Sequence, residues 1–238
     1  MPCSIPQPGS GLDFLIATLY ADTMPRTNRI AGDNLYFHIF ARGNNKQQIF
    51  YEPADYRRFL KNLGHFREIH TFKLFAYCLM PNHFHVLLQT HGTPLSKTMQ
   101  VLMTAYSMYA NKKFKHVGHL FQGRFQSIIV DRETYFLQVL RYIHLNPVKA
   151  HLVDLPEKYP WSSYGQYVKS APNEPFVEVD EVLPFFSSDP SKQRQAFQEF
   201  TIAGLTEPFD PMKEQTRGIL GSAKFHMKMT KVLGGRRP

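Results

Sequence analysis

The chain of 238 residues contains little cysteine and no long apolar run. Cys3 and Cys78 are the only cysteines, and two thiols so far apart argue against a disulfide framework and against a thiolate zinc site. No apolar stretch approaches the roughly 18 residues that are needed to cross a bilayer. Residues 1–10 lack the basic start and the apolar core of a signal peptide. We therefore expect a cytoplasmic protein with no membrane partner.

Acidic residues are also scarce relative to basic ones. The chain has 19 Asp and Glu against 28 Lys and Arg, which gives a formal net charge of +9. Such an excess favours a polyanionic partner, with nucleic acid first and an anionic membrane surface second, and charge alone does not separate the two.

Composition divides the chain into three parts. Residues 1–28 are rich in Pro, Gly, Ser and Thr without a sustained period, and we interpret them as an N-terminal extension. Residues 29–170 carry the regular patterns and form the predicted main domain. Residues 171–238 begin with an acidic, proline-bearing stretch and become basic, which predicts a partly helical C-terminal extension.

The periodicity of the main domain predicts an α+β fold. Aromatic and β-branched stretches indicate strands, and apolar residues at helical spacing indicate helices. The resulting order, β-α-β-β-α-β-α, matches a single antiparallel or mixed sheet with helices packed on one side. The predicted strands are 35–42, 72–79, 83–89 and 125–130, and the predicted helices are 55–70, 95–115 and 131–145. Weaker patterns predict further helices over 192–205 and 212–233.

One predicted strand begins with His83-Phe84-His85. Because a strand alternates its faces, His83 and His85 point the same way and Phe84 points the other way. Two imidazoles side by side form half of a metal site if a third ligand comes from elsewhere. A His-x-His pair alone is weak support, since most such pairs are incidental or packed.

The predicted helix over 131–145 offers the missing groups near its C-terminal end. Tyr142 and Asn146 are four residues apart and so share one face. An amide oxygen suits a hard divalent ion, and tyrosine can act as a covalent nucleophile toward a phosphate that a metal polarises. Tyr135 is the rival nucleophile, seven residues earlier on a similar face. His144 lies across the helix from Tyr142, and we interpret it as structural or DNA-facing.

These motifs resemble those of the HUH endonucleases. His83-Phe84-His85 is similar to their His-hydrophobic-His motif, and residues 142–149, YIHLNPVK, are similar to the single-tyrosine motif of insertion-sequence transposases in that superfamily. The chain most resembles the REP-associated tyrosine transposases, the chromosomal relatives linked to repetitive extragenic palindromes. Further similar stretches are 36–45, 80–85, 118–124 and 161–164, so the resemblance runs from about residue 29 to residue 164.

The resemblance implies a ferredoxin-like, RRM-like fold that holds Mg²⁺ or Mn²⁺ between His83, His85 and Asn146. It also implies an enzyme in which Tyr142 attacks a scissile phosphate of single-stranded DNA near a hairpin or palindrome. The product would be a 5′-phosphotyrosine link with a released 3′-hydroxyl, which can later rejoin the strand. We expect a monomer, with a dimer as the alternative.

Four basic residues flank the predicted motifs: Arg42, Lys46, Arg124 and Lys149. Any one of them is about as easily a solvated surface charge as a phosphate contact. As a set they favour binding to the DNA backbone, because several cations along one cleft add through counterion release.

His119, Phe121 and Gln122 either contact bases or brace their loop. Trp161 is more easily a packing anchor than a base stacker, and His38 is expected in the sheet.

Two other functions compete with a transposase-type nicking and joining enzyme. The first is a regulator that binds DNA hairpins and keeps the fold but does not cleave. Four intact site residues argue against it, because a binding protein has no chemical need for all of them. The second is a metal-dependent phosphohydrolase in which water attacks and Tyr142 only positions the substrate.

Overall fold

The computed structural model describes residues 33–169, 176–207 and 209–234. The predicted N-terminal extension, residues 1–28, lies outside these ranges. Among the residues described, no helix is both long enough and apolar enough to cross a membrane.

The main domain is built on an antiparallel sheet of four strands: β1 (Tyr36–Arg42), β2 (Lys73–Met80), β3 (His83–Gln89) and β4 (Gln126–Val130). The strands lie in the order β2-β3-β1-β4, and each pairs antiparallel with its neighbours. Helix α1 (Pro53–His70) connects β1 to β2, and helix α2 (Leu95–Phe114) connects β3 to β4. This connectivity and strand order are those of a ferredoxin-like α+β fold, and the predicted fold class is confirmed.

Helices α1 and α2 cover the face of the sheet that carries Phe84. The ring of Phe59 on α1 lies 4.9 Å from that of Phe84 and 5.3 Å from that of Tyr106 on α2, and all three side chains are fully buried. Burying a phenylalanine of this kind contributes roughly 1.5–3 kcal/mol. The apolar alternation of β3 therefore fixes which face the two connecting helices occupy.

Helix α3 (Phe136–Lys149) covers the opposite face. Phe136 contacts Tyr36 of β1 and Phe75 of β2 edge to face, with ring centroids 5.4 and 5.1 Å apart. The prediction of helices on one side thus holds for α1 and α2, whereas α3 lies on the other side. The consequence is functional, because this face also carries His83 and His85.

Helix α3 begins and ends later than the predicted 131–145. The carboxylate of Asp131 accepts hydrogen bonds from Thr134 Oγ1 (3.0 Å) and the backbone N–H of Glu133 (3.3 Å), so it stabilises a turn that precedes the helix. The helix also continues through Pro147, although a proline disfavours helical angles at the residue before it. Pro147 is buried together with Ile143, and this packing outweighs the local preference.

The chain beyond the main domain packs against α3 and extends the sheet. Helix 192–205 was predicted close to its observed position, but the single helix over 212–233 was wrong. A buried strand interrupts it, since Ile219 and Leu220 pair in parallel with Ile129 and Val130 of β4. The elements that follow α3 are α4 (Tyr164–Val168), still within the main domain, and then α5 (Val179–Val182), α6 (Pro190–Ala203), α7 (Pro211–Glu214), β5 (Ile219–Leu220) and α8 (Ala223–Gly234).

Candidate active site

The two histidines of β3 face α3 from the start of their strand. His83 lies opposite Arg42 and His85 lies opposite Phe40 in the register with β1. Their ring centroids are 5.0 Å apart and their planes are nearly perpendicular, at 88°. His83 is half-buried and His85 is buried. The strand therefore presents both imidazoles on one face, as their spacing predicts.

A protein partner fixes one nitrogen of each imidazole. His83 Nδ1 donates to Asn82 Oδ1 at 2.7 Å, since an amide oxygen can only accept. His85 Nδ1 lies 3.0 Å from His38 Nε2. In both rings the Nδ1 atom is thus occupied by the protein. Histidines that bind metals usually have their second nitrogen held in this way.

His38 is a site residue whose contact the sequence did not reveal. It lies on β1, it is fully buried, and its ring centroid is 5.2 Å from that of His85. The alternation of Tyr36, His38 and Phe40 correctly placed it in the sheet. Its contact with His85 depends on the pairing of two strands that are 47 residues apart, and no local pattern encodes that pairing.

Burial keeps these imidazoles uncharged. It lowers the pKa of His38 to about 3, and burial together with the nearby Arg42 cation lowers the pKa of His83 to about 4. Burial, His83 and His38 hold the pKa of His85 well below its usual value. Neutral imidazole is the form that binds metals, so the rings are in a suitable state at neutral pH.

Tyr142 projects from α3 onto the same face. Its ring lies edge to face with His85 (5.7 Å) and with His38 (5.8 Å), and the side chain is half-buried. Lys149 Nζ is 5.5 Å from the centre of the Tyr142 ring. The structure therefore brings a phenol and a cation of α3 together with two imidazoles from separate strands, β1 and β3.

Asn146 lies one helical turn beyond Tyr142. Its side-chain Nδ2 donates to the backbone carbonyl of Tyr142 at 2.9 Å, which leaves the amide oxygen at the other end of the planar group. The amide is thus held by its nitrogen, and its oxygen is the atom that can act as a ligand.

The groups on this face fit a divalent cation by their chemistry. Within the described ranges, no group of three or more His, Cys, Asp or Glu side chains is arranged to hold a metal. His83 and His85 are two neutral nitrogen donors with oriented rings, and the amide of Asn146 offers an oxygen donor one helical turn beyond Tyr142. A mixed set of nitrogen and oxygen donors is suitable for ions such as Mn²⁺.

Tyr135 and His144, the other candidate residues of this segment, have contacts away from the histidines of β3. Tyr135 precedes the first turn of the helix, and its ring stacks on Phe209 with centroids 6.2 Å apart and planes at 21°. His144 is buried, and its Nε2 lies 2.9 Å from Ser163 Oγ. His144 is therefore structural, and the contacts with the imidazoles of β1 and β3 belong to Tyr142.

The predicted DNA-binding residues border one end of the sheet. Arg42 donates to Gln122 Oε1 from Nε (3.1 Å) and from Nη2 (2.6 Å). The exposed Lys46 and Arg124 lie in the two loops that a bridge between residues 43 and 121 joins. Lys149 is exposed at the end of α3, and its Nζ donates to the carbonyl of Phe209 at 3.4 Å. These cations lie near the end of β1 that faces His83 and near the end of α3.

Phe121 and Trp161 were each predicted either to pack within the protein or to contact bases, and in the structure both pack within the protein. Phe121 is buried against Phe84 and Tyr106, so it braces its loop. Trp161 stacks on Tyr56 of α1 with ring centroids 4.5 Å apart, which makes it a packing anchor. Gln122 remains exposed and holds Arg42.

Known proteins resemble this chain over the same region. Residues 31–146 match the family described as "Transposase IS200 like". A REP-associated tyrosine transposase of Haemophilus influenzae is 26% identical over 115 residues, which are 43% of this chain and 65% of that protein. The chain thus matches slightly less than two thirds of that relative's length. The solved structure of a REP-associated tyrosine transposase bound to a REP hairpin superposes with a TM-score of 0.53 at 18% identity. It covers 61% of this chain and 86% of the other.

Proposed function

We propose that the protein nicks and rejoins single-stranded DNA near hairpins through a tyrosine nucleophile. The match of residues 31–146 to the IS200-like transposase family supports this proposal. The observation that carries the proposal is the contact of Tyr142 with His85 and His38 at 5.7 and 5.8 Å, on the one sheet face where both histidines of β3 point. A phenol beside oriented, neutral imidazoles is suited to attack on a phosphodiester.

In the proposed cleavage step, the Tyr142 oxygen attacks the scissile phosphorus and the bond from phosphorus to the 3′ oxygen breaks. The phenol loses its proton, and the departing 3′ oxygen gains one and leaves as a hydroxyl. The 5′ phosphate stays on Tyr142 as a phosphotyrosine diester. Attack by a 3′-hydroxyl on that link reverses the step, so strand joining needs no external energy source.

We propose that His83, His85 and Asn146 hold a divalent ion, Mg²⁺ or Mn²⁺, at this site. When bound, such an ion supplies Lewis-acid polarisation of the phosphate. Hydrogen bonds within the protein orient two of the proposed ligands: Asn82 orients His83, and the backbone carbonyl of Tyr142 orients the amide of Asn146. Because Asn146 is anchored on the nucleophile's own residue, the third ligand and the phenol keep a fixed relation along α3.

The proposed substrate is DNA with hairpin or palindromic elements. The excess of basic residues, and the position of Arg42, Lys46 and Arg124 at one end of the sheet, support contacts to phosphates. We propose that Lys149, beside the Tyr142 ring, neutralises charge that develops on the reacting phosphate. A histidine pair and a tyrosine that meet within one chain also support a monomer as the active unit.

A test uses single-stranded DNA that carries a hairpin and a label at its 3′ end, incubated with the protein and Mn²⁺. Because the downstream fragment keeps its 5′ phosphate on tyrosine, the label is expected to migrate with the denatured protein. Tyr142→Phe is expected to abolish this adduct while hairpin binding survives, and Tyr135→Phe is the matched control that retains it.

Three results would contradict parts of the proposal. An undiminished adduct with Tyr142→Phe would make the nucleophile assignment wrong. Binding without nicking across many hairpin substrates would favour the regulator that binds but does not cleave. Nicking that never yields an adduct would favour hydrolysis by water.

A further inference from the structure

His38 is buried beneath the proposed metal site and contacts His85 through one ring nitrogen. Its Nε2 lies 3.0 Å from His85 Nδ1, and its own Nδ1 is a buried nitrogen with no hydrogen-bond partner among the described residues. The two rings are tilted by 21° and their centroids are 5.2 Å apart, with the facing nitrogens between them. This is the geometry of an in-plane hydrogen bond.

The direction of that hydrogen bond decides what His85 can do. If His38 Nε2 carries the proton, His85 Nδ1 accepts it, and the proton of neutral His85 then occupies Nε2 and blocks it. If His85 Nδ1 carries the proton and donates to His38, then His85 Nε2 has a free lone pair. Only the second arrangement lets His85 bind a metal through Nε2.

On the basis of the function proposed above, we propose that His38 is a positioning residue that accepts the Nδ1 proton of His85 and so turns the His85 Nε2 lone pair toward the metal. His83 receives the corresponding help from Asn82, whose amide oxygen accepts at 2.7 Å. Each histidine of the pair then has its own partner, one from the preceding residue and one from the neighbouring strand.

Burial alone does not single out His38, because His144 shares it. His144 is also fully buried, and within the part of the chain that the structure describes its ring Nδ1 likewise has no hydrogen-bond partner. Its hydrogen-bonded partner is Ser163, and its ring packs against Tyr164 and Tyr167. The partner distinguishes the two residues, and His144 is therefore a matched control for the loss of a buried imidazole.

The test measures Mn²⁺ binding to the DNA-free protein by electron paramagnetic resonance titration. His38→Leu is expected to weaken Mn²⁺ binding by about 10- to 100-fold, the usual effect of removing the partner of a metal-binding histidine. His38→Gln, whose side-chain oxygen can accept the same proton, is expected to recover most of the loss. His144→Leu is expected to bind Mn²⁺ like the wild type.

A second measurement needs no variant and decides the matter if His38→Leu does not fold. In the ¹⁵N spectrum of the wild type with Mg²⁺, His85 is expected to be protonated at Nδ1, with a scalar coupling across the hydrogen bond to His38 Nε2. Protonation of His85 at Nε2 in that complex would overturn the inference, as would wild-type Mn²⁺ affinity in a folded His38→Leu.

His85→Ala separates this inference from the proposed function. If His85→Ala abolishes Mn²⁺ binding and His38→Leu does not change it, the metal site stands and the role of His38 is wrong. If the wild type binds Mn²⁺ no better than His85→Ala, the proposed metal site fails and the role of His38 fails with it.

Discussion

At the scale of single residues, the site depends on which atom of each polar side chain is already hydrogen-bonded within the protein. Asn82 occupies Nδ1 of His83, and the carbonyl of Tyr142 occupies Nδ2 of Asn146. In each case the opposite atom of a rigid planar group is directed elsewhere. If these atoms bind an ion as proposed, they lose little conformational freedom, because the protein already orients their groups.

The residue that links the site to the basic loops is Gly43. Its N–H donates to the carbonyl of Asn82 at 2.8 Å, and it follows Arg42 directly. A Cβ at this position would lie 2.2 Å from the carbonyl oxygen of Gln47 and 2.9 Å from Cγ2 of Ile49. The glycine is required here by close contact, since its φ of −61° is one that any residue adopts.

We predict that Gly43→Ala lowers the free energy of unfolding by about 1–3 kcal/mol, the usual cost of overpacking a tight contact. Urea unfolding followed by circular dichroism measures it. Gly165→Ala is the control, because no atom of the described residues lies within 4 Å of a Cβ there and the residue is helical. Equal unfolding midpoints for the two variants would contradict the prediction, because they would show that the loop at Gly43 accommodates a Cβ at no cost in stability.

At the scale of elements, helix α3 is held between the sheet and α6. Phe197 of α6 is fully buried, and its ring lies 5.8 Å from His144 and 4.8 Å from Tyr167. Gly204, just after α6, would bring a Cβ within 2.6 Å of Arg141 Cδ, so the two elements approach closely. The helix that carries Tyr142 is thus fixed from the side that faces away from the histidines.

Phe197→Ala is expected to reduce the free energy of unfolding by about 3–5 kcal/mol, because it removes a fully buried ring that contacts several aromatic neighbours. Phe185→Ala, which removes a ring that is 52% exposed, is expected to change it by only about 0.5 kcal/mol. Thermal or urea unfolding distinguishes them. A loss for Phe197→Ala as small as for Phe185→Ala would mean that α6 does not support α3.

Some bounds of the helices and strands could be predicted from the sequence, and others could not. The bounds of β3, His83–Gln89, were predicted from the sequence, because a short run of apolar residues that follows a turn is a local signal. The ends of α3 and the split at β5 depend on packing with distant residues, so local signals misplaced them. In the same way, the spacing within 83–85 and 142–146 indicated the candidate groups. The contact of His38 with His85 required the register of β1 against β3, which is a tertiary property.

At the scale of the whole molecule, the chain carries a net charge of +9, and three of its cations lie at one end of the sheet. Arg42 and the exposed Lys46 and Arg124 meet at the end of β1, on loops tied by the bridge between residues 43 and 121. Lys61 is equally exposed but lies on α1, which covers the opposite face of the sheet. Position, rather than charge alone, therefore distinguishes the cations proposed to contact DNA.

We predict that affinity for hairpin DNA falls with salt, and that Arg124→Ala reduces the slope of log K against log salt by about 1, the value for one lost phosphate contact. Lys61→Ala should leave the slope unchanged. Fluorescence anisotropy titrations over a series of salt concentrations measure both. Equal slopes for Arg124→Ala and the wild type would remove Arg124 from the proposed DNA interface.

Tyr142 is the residue proposed to form a covalent bond to DNA. The most direct measurement digests the protein–DNA adduct formed with Mn²⁺ and locates the nucleotide-bearing peptide by mass spectrometry. We predict that the added mass lies on Tyr142 and disappears with Tyr142→Phe. A nucleotide attached to Tyr135, or an adduct that survives in Tyr142→Phe, would contradict the account.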